Sequence, residues 1–135
     1  MKAFSTMAAV AAAFLVAGPA AAEVWHCKTV VKGADNGFIA PDIFVDHVPG
    51  EDTAVVLDGL INNYNGKQPL PAEIVAENAQ KVTYAWKLKL HVTGTSATVR
   101  YRMTRQKASG AVTISAQALG FANHYTSTGK CAIAK

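Results

Sequence analysis

The chain has 135 residues, of which 13 are basic and nine acidic, and its formal net charge at pH 7 is +4. After the alanine-rich first 22 residues, 113 remain, which suffices for one domain with one hydrophobic core, so we expect residues 23–135 to form a single domain. No later segment approaches the roughly 20 apolar residues that a membrane-spanning helix needs, so the sequence predicts no membrane span.

Residues 1–22 have the three parts of a cleavable secretory signal peptide. Lys2 supplies a positive charge, an apolar run extends from Met7 to Ala17, and small residues precede position 23. We therefore expect export, cleavage before Glu23 and a periplasmic or secreted location, with a leader typical of bacteria. An uncleaved membrane anchor is the alternative.

Two cysteines, Cys27 and Cys131, stand near opposite ends of the segment that follows the leader. In an oxidising compartment such a pair usually forms a disulfide, which requires Cα atoms about 5–6 Å apart. The sequence therefore predicts that the first and last segments of the domain lie side by side. Two free thiols or an intermolecular bridge are the alternatives.

Extended segments separated by glycine, proline and asparagine turns predict about seven antiparallel strands. These segments are residues 23–31, 38–48, 53–61, 82–92, 97–106, 112–118 and 123–133. The asparagine-rich stretch 62–71 indicates a loop, the proline-led stretch 71–79 a short helix, and Gly129 a β-bulge in the last strand. If the first and last strands pair, residues 23–135 form an all-β antiparallel meander, either a small barrel or a sandwich.

The clearest prediction is a hairpin between residues 82–92 and 97–106, with a two-residue loop at Gly94-Thr95. This loop pairs Lys89 with Arg100 and Lys87 with Arg102. Alternation then places four cations and a histidine on one polar face, which we call the basic face: Lys87, Lys89, His91, Arg100 and Arg102. Trp86 and Tyr101 fall on the opposite, apolar face.

Charge is divided sharply along the chain. All nine acidic residues lie between Glu23 and Glu77, a segment with three lysines and a net charge of −6, whereas residues 78–135 hold nine basic residues and no acid. Like charges opposite each other weaken a sheet slightly, so folding does not require the basic face. It is either a docking surface for an anionic partner or a solvated face that the acidic half covers.

The sequence gives little indication of catalysis. It has no phosphate-cradling loop, no Gly-x-Ser-x-Gly elbow and no His-Glu-x-x-His motif. We expect no catalytic residue, metal site or cofactor, because no close metal-ligand spacing links the four histidines His26, His47, His91 and His124. Nucleic acid is disfavoured as a partner, since the aromatic residues of the hairpin lie on its apolar face.

The leading hypothesis is a non-catalytic extracytoplasmic binding module. Its basic face would dock an acidic envelope or secreted partner, which could be a protein, a glycan or a lipid headgroup. One alternative is a carrier that holds a small apolar ligand in a barrel cavity. Another is a hydrolase, which would need a histidine within hydrogen-bond reach of a carboxylate or hydroxyl. The oligomeric state is left open.

Overall fold

The fold is taken from a computed structural model that describes residues 23–30, 37–92 and 94–134, apart from the side chain of Val92. The elements in chain order are β1 (Glu23–Thr29), β2 (Asp42–His47), β3 (Thr53–Asp58), α1 (Gly59–Tyr64), β4 (Leu70–Glu77), β5 (Lys81–Val92), β6 (Thr95–Gln106), β7 (Ala111–Ala118) and β8 (His124–Ile133). Each strand pairs antiparallel with the next, and β8 returns to pair with β1.

The predicted all-β antiparallel fold is therefore confirmed. It is a closed barrel rather than a sandwich, and it has eight strands rather than seven. The predicted signal peptide, residues 1–22, lies outside the described residues and stays a prediction. No helix within the described ranges is long and apolar enough to cross a membrane.

The eighth strand is β4, where the prediction of a helix over 71–79 is wrong. Ala72 is buried inside the barrel and its neighbours Pro71 and Glu73 are exposed, which is the period-two pattern of a strand. β4 also links β3 to β5, and a helix there would leave the edges of both strands unpaired.

The one helix within the described ranges, α1, begins where a strand was predicted to continue. β3 ends at Asp58, whose Oδ1 accepts a hydrogen bond of 2.8 Å from the backbone N–H of Ile61. This is the N-cap arrangement that satisfies an unpaired donor in the first helical turn. Burial raises the pKa of the Asp58 carboxyl, although the N–H groups of Ile61 and Leu60 act in the opposite direction.

The predicted disulfide between Cys27 and Cys131 is confirmed and joins the first strand to the last. The two residues are direct partners in the β1–β8 register. Their Cα atoms are 3.9 Å apart, closer than the 5–6 Å expected. Both side chains lie within the hydrophobic core.

Gly129 does not form the predicted bulge. It pairs in continuous register with Thr29 on β1 and with Val112 on β7. A Cβ atom at this position would overlap the backbone carbonyl of Lys28, so the glycine allows β1 and β8 to approach closely.

Candidate binding face and groove

The β5–β6 hairpin carries the basic face on the outside of the barrel. Along β5 and β6, buried positions alternate with exposed ones from Trp86 to Leu90 and from Val99 to Met103. All five residues predicted to bind are exposed: Lys87, Lys89, His91, Arg100 and Arg102. The structure thus brings the predicted residues together on two neighbouring strands, with Trp86 and Tyr101 inside as expected.

The predicted pairing within the hairpin is wrong by two residues. Lys87 lies opposite Arg100, Lys89 opposite Thr98, and Arg102 opposite Ala85. Pairing continues to Val92 and Thr95, and Gly94 has a φ of 77°, a conformation that glycine adopts without strain. A shift of two residues preserves the side of the sheet on which each side chain lies, so the basic face is unchanged.

The basic face has no carboxylate partner among the described side chains. Only two ion pairs within 4 Å occur in that part of the chain, His26 with Asp42 and Lys107 with Glu77. On the β7 side, Arg100 pairs with Gln117 and Arg102 with Ser115, both uncharged. The described acidic residues therefore do not neutralise these cations by direct contact.

A groove of about 490 Å³ runs along one border of the basic face. Pairing of β4 with β5 starts at Glu73 and Ala85. Among the described residues, no backbone pair joins residues 70–72 to β5. The groove lies at this place, and two residues of the basic face, Lys87 and Arg100, help to line it. The remaining lining residues are Thr53, Leu70, Pro71, Ala72, Glu73, Ala85 and Trp86.

Trp86 connects the groove to the core. Its indole stacks on Tyr101 with ring centroids 5.4 Å apart and an interplanar angle of 11°. The side chain is buried, and its Nε1–H has no hydrogen-bond partner among the described residues.

A polar cluster that sequence reasoning missed lies inside the barrel. Arg105 is 5 % exposed and donates from Nη2 to the Tyr84 hydroxyl at 3.0 Å, while that hydroxyl lies 3.3 Å from Nδ1 of His47. The guanidinium carbon also lies 3.9 Å from the ring centroid of Trp25. No carboxylate lies within ion-pair distance of Arg105 in the described residues, and the electron-rich face of Trp25 is a favourable neighbour for this cation.

We expect this cluster to make folding stability depend on pH. Burial lowers the pKa of His47 below 6.5, and the positive charges of Arg105 and Lys107 lower it further, against the opposing effect of Glu77 and Glu23. In the unfolded chain His47 binds a proton near pH 6.5, whereas in the folded chain it does so only at lower pH. The contribution of His47 to the free energy of unfolding is therefore complete above pH 6.5, and it is lost as the pH falls through the lower pKa that His47 has in the folded chain.

The measurement is urea unfolding of the wild type and of His47→Gln at pH 8, 7, 6 and 5. The wild type should lose more free energy of unfolding between pH 7 and pH 5 than the variant, by about 1.4 kcal/mol per unit of pKa depression. Every other titrating group is common to both proteins. If the free energy of unfolding of the two proteins changed with pH in parallel, His47 could not be the source of the pH dependence.

A second concave surface lies at the end of the barrel where the β5–β6 turn is found. It is an apolar cup of about 400 Å³. Its lining residues are Phe38, Leu90, Thr95, Ala97, Ala118, Phe121, Asn123 and Tyr125. The rings of Phe38 and Tyr125 stack with centroids 5.0 Å apart, which gives the cup an aromatic wall.

Besides His47, which lies beside the Tyr84 hydroxyl, two histidines lie within hydrogen-bond distance of a carboxylate or a hydroxyl. His26 Nε2 is 2.8 Å from Asp42 Oδ1, and His91 Nδ1 is 2.9 Å from Ser96 Oγ. Within the described hydrogen bonds, no hydroxyl joins the His26–Asp42 pair and no carboxylate joins the His91–Ser96 pair. Neither pair therefore forms a set of nucleophile, base and acid. Within the same residues, no three His, Cys, Asp or Glu side chains are grouped so that they could hold a metal ion.

The fold defines the structural class of the protein as a disulfide-closed, eight-stranded antiparallel β-barrel. Comparison with models of protein families, with curated proteins and with solved structures found no match.

Proposed function

We propose that the protein is a non-catalytic extracytoplasmic binding module whose basic face docks an acidic partner. The observation that carries the proposal is the exposure of four cations on two adjacent strands without a described carboxylate in contact. An anionic partner relieves the repulsion between these charges and gains several favourable pairs at once. Arrangements of this kind raise association rates and make them sensitive to salt.

The surroundings of the basic face favour an acidic partner. The segment from residue 78 onward, which provides β5 to β8, contains no aspartate or glutamate. Across this half of the barrel every exposed side chain with a fixed charge is a lysine or an arginine. An approaching anion therefore meets no strand-borne negative charge until it reaches β4 on one side or β1 and β2 on the other.

The location we propose rests on the sequence together with the disulfide. The leader predicts export, and a buried cross-link between the first and last strands is typical of oxidising compartments such as the periplasm or the extracellular space. A partner of the basic face would then be an acidic component of the envelope or of the secreted medium.

Heparin is a suitable polyanionic probe for the basic face. We expect the variant K87Q/K89Q/R100Q/R102Q to bind labelled heparin about tenfold or more weakly than the wild type, since each exposed charge contributes about 0.2–1 kcal/mol. The affinity of the wild type should also fall when the salt concentration is raised, while that of the variant should change less. Fluorescence anisotropy at two salt concentrations measures both effects.

The matched control removes four positive charges elsewhere on the surface, in K28Q/K67Q/K81Q/K130Q. These lysines are all exposed and lie outside the basic face. The control has the same net charge as the test variant, and its affinity for heparin should stay close to that of the wild type. An equal loss in both variants would show that net charge, not the hairpin, governs binding.

A second candidate function is supported by the apolar cup. A small apolar ligand could rest against Phe38, Phe121 and Tyr125, in a space within the roughly 300–1,000 Å³ typical of ligand pockets. The hydrolase alternative has as support the histidine pairs of His26 with Asp42 and His91 with Ser96, and the buried contact of His47 with Tyr84.

A further inference from the structure

We propose that the groove beside Lys87 and Arg100 binds a single-chain amphiphile with an anionic headgroup. The inference rests on the proposed function, because the groove shares two cations with the basic face. It deepens that function by naming a class of ligand that uses both the charge of the face and the apolar surface next to it.

The lining of the groove combines two kinds of chemistry. Lys87 and Arg100 lie directly opposite each other on β5 and β6 and stand at one side. The rest of the surface is largely apolar, from Leu70, Pro71 and Ala72 on β4 to Ala85 and Trp86 on β5. A ligand with an anionic end and an apolar body matches both parts. A simple anion would use only the two cations, and an apolar ligand would use only the apolar surface.

Energetics favour an amphiphile over a simple anion. An exposed ion pair contributes about 0–1 kcal/mol, so an inorganic anion at Lys87 and Arg100 gains little. Apolar burial contributes about 25 cal/mol for each Å² removed from water, so an alkyl chain along the groove adds substantially to binding. The volume of about 490 Å³ lies within the range of small-molecule sites.

The third charged group of the groove restricts the orientation of the ligand. Glu73 is exposed on β4, opposite Ala85 in the β4–β5 register. Its carboxylate repels an anionic headgroup, while Lys87 and Arg100 attract it. The headgroup therefore lies at the β5–β6 side and the chain lies against β4.

The test uses dodecyl phosphate below its micelle concentration, with inorganic phosphate and dodecanol as partial probes, in isothermal titration calorimetry on the whole protein. We expect dodecyl phosphate to bind at least about tenfold more tightly than either partial probe, because only it reaches both parts of the groove. Equal affinity for dodecanol would overturn the headgroup assignment, and an absence of dodecyl phosphate binding would overturn the proposal.

Two double variants separate the groove from the rest of the basic face. K87Q/R100Q, which removes the groove cations, should weaken dodecyl phosphate binding about tenfold or more. K89Q/R102Q removes the same charge from residues that do not line the groove and should weaken binding only about twofold, through longer-range attraction. Equal losses in the two variants would refute the groove as the site.

Ala85→Phe tests the apolar part, because it fills the groove and leaves every cation in place. We expect it to abolish dodecyl phosphate binding while heparin affinity changes by less than about twofold. Heparin binding that depends on the basic face, together with no binding of the amphiphile, would remove this inference and leave the proposed function intact. If A85F unfolds, the charge variants still decide the question, since they change only exposed side chains.

Discussion

Replacing both cysteines with alanine is expected to lower the free energy of unfolding by about 4–5 kcal/mol, because the bridge closes a loop across a sequence separation of 104 residues. In the chain-entropy model, this cross-link removes conformations from the unfolded chain that C27A/C131A regains. The melting temperature should fall by roughly 15–25 °C. Urea unfolding and thermal melting of the oxidised wild type and the double variant measure the difference.

A reductant separates the cross-link from the packing of the two side chains. Both cysteines belong to the core, so alanine also removes some buried surface. Wild-type protein treated with dithiothreitol loses only the bond and should approach the stability of the double variant, which itself should not respond to the reagent. A wild type whose melting temperature is unaffected by full reduction would contradict the assignment of stability to the bridge.

The pairing of the first and last strands could be predicted from the sequence because two independent patterns are consistent with it. Cys27 and Cys131 required the terminal segments to be neighbours, and the alternation from residue 82 to residue 118 predicted a meander with one buried side. These patterns allowed either a barrel or a sandwich, and the structure is a closed barrel. The choice between barrel and sandwich depended on β4, which the sequence did not reveal.

The composition of the basic face could also be predicted, although the pairing within it could not. Side-chain direction in a strand depends only on the parity of the residue number, so Lys87 and Arg100 lie outside in either register. Which cations are direct neighbours depends on the turn, where glycine fits more than one loop type. The observed register gives one directly opposed pair of cations, Lys87 and Arg100, where two were expected.

The β4 segment shows why local preference can fail. Pro71, alanine and glutamate are acceptable at the start of a helix, and the sequence offers no strict alternation there. Long-range pairing with β3 and β5 decides the conformation, since both strands would otherwise have open edges. The groove has the same origin, because it forms where β4 pairs with β3 but not with β5.

The buried cluster was missed although a signal for it exists. Tyr101 and Arg105 share one parity on β6, and Tyr101 was assigned to the apolar side. The same rule places Arg105 inside, where it is found against Trp25. Trp25 lies on β1, which does not pair with β6, so this cation meets its aromatic partner across the interior of the barrel.

Gly129→Ala is expected to lower the free energy of unfolding by about 3 kcal/mol or more, since the added Cβ overlaps the backbone of Lys28 and Thr29 rather than a flexible side chain. The only relief is separation of β1 from β8, beside the bridge. The Cys27–Cys131 disulfide of the variant should therefore be reduced by dithiothreitol faster than that of the wild type. Chemical unfolding and the rate of thiol release measure the two effects.

Gly37→Ala is the matched control, because a Cβ there meets nothing within 4 Å and the residue does not have a positive φ. It should be neutral or more stable by about 0.4–1 kcal/mol, through a smaller entropy of the unfolded chain. The contrast between the two glycines isolates the close approach of β1 and β8 from the general cost of removing a glycine. If G129A matched G37A in stability and in reduction rate, the two strands could not lie as close as the barrel requires.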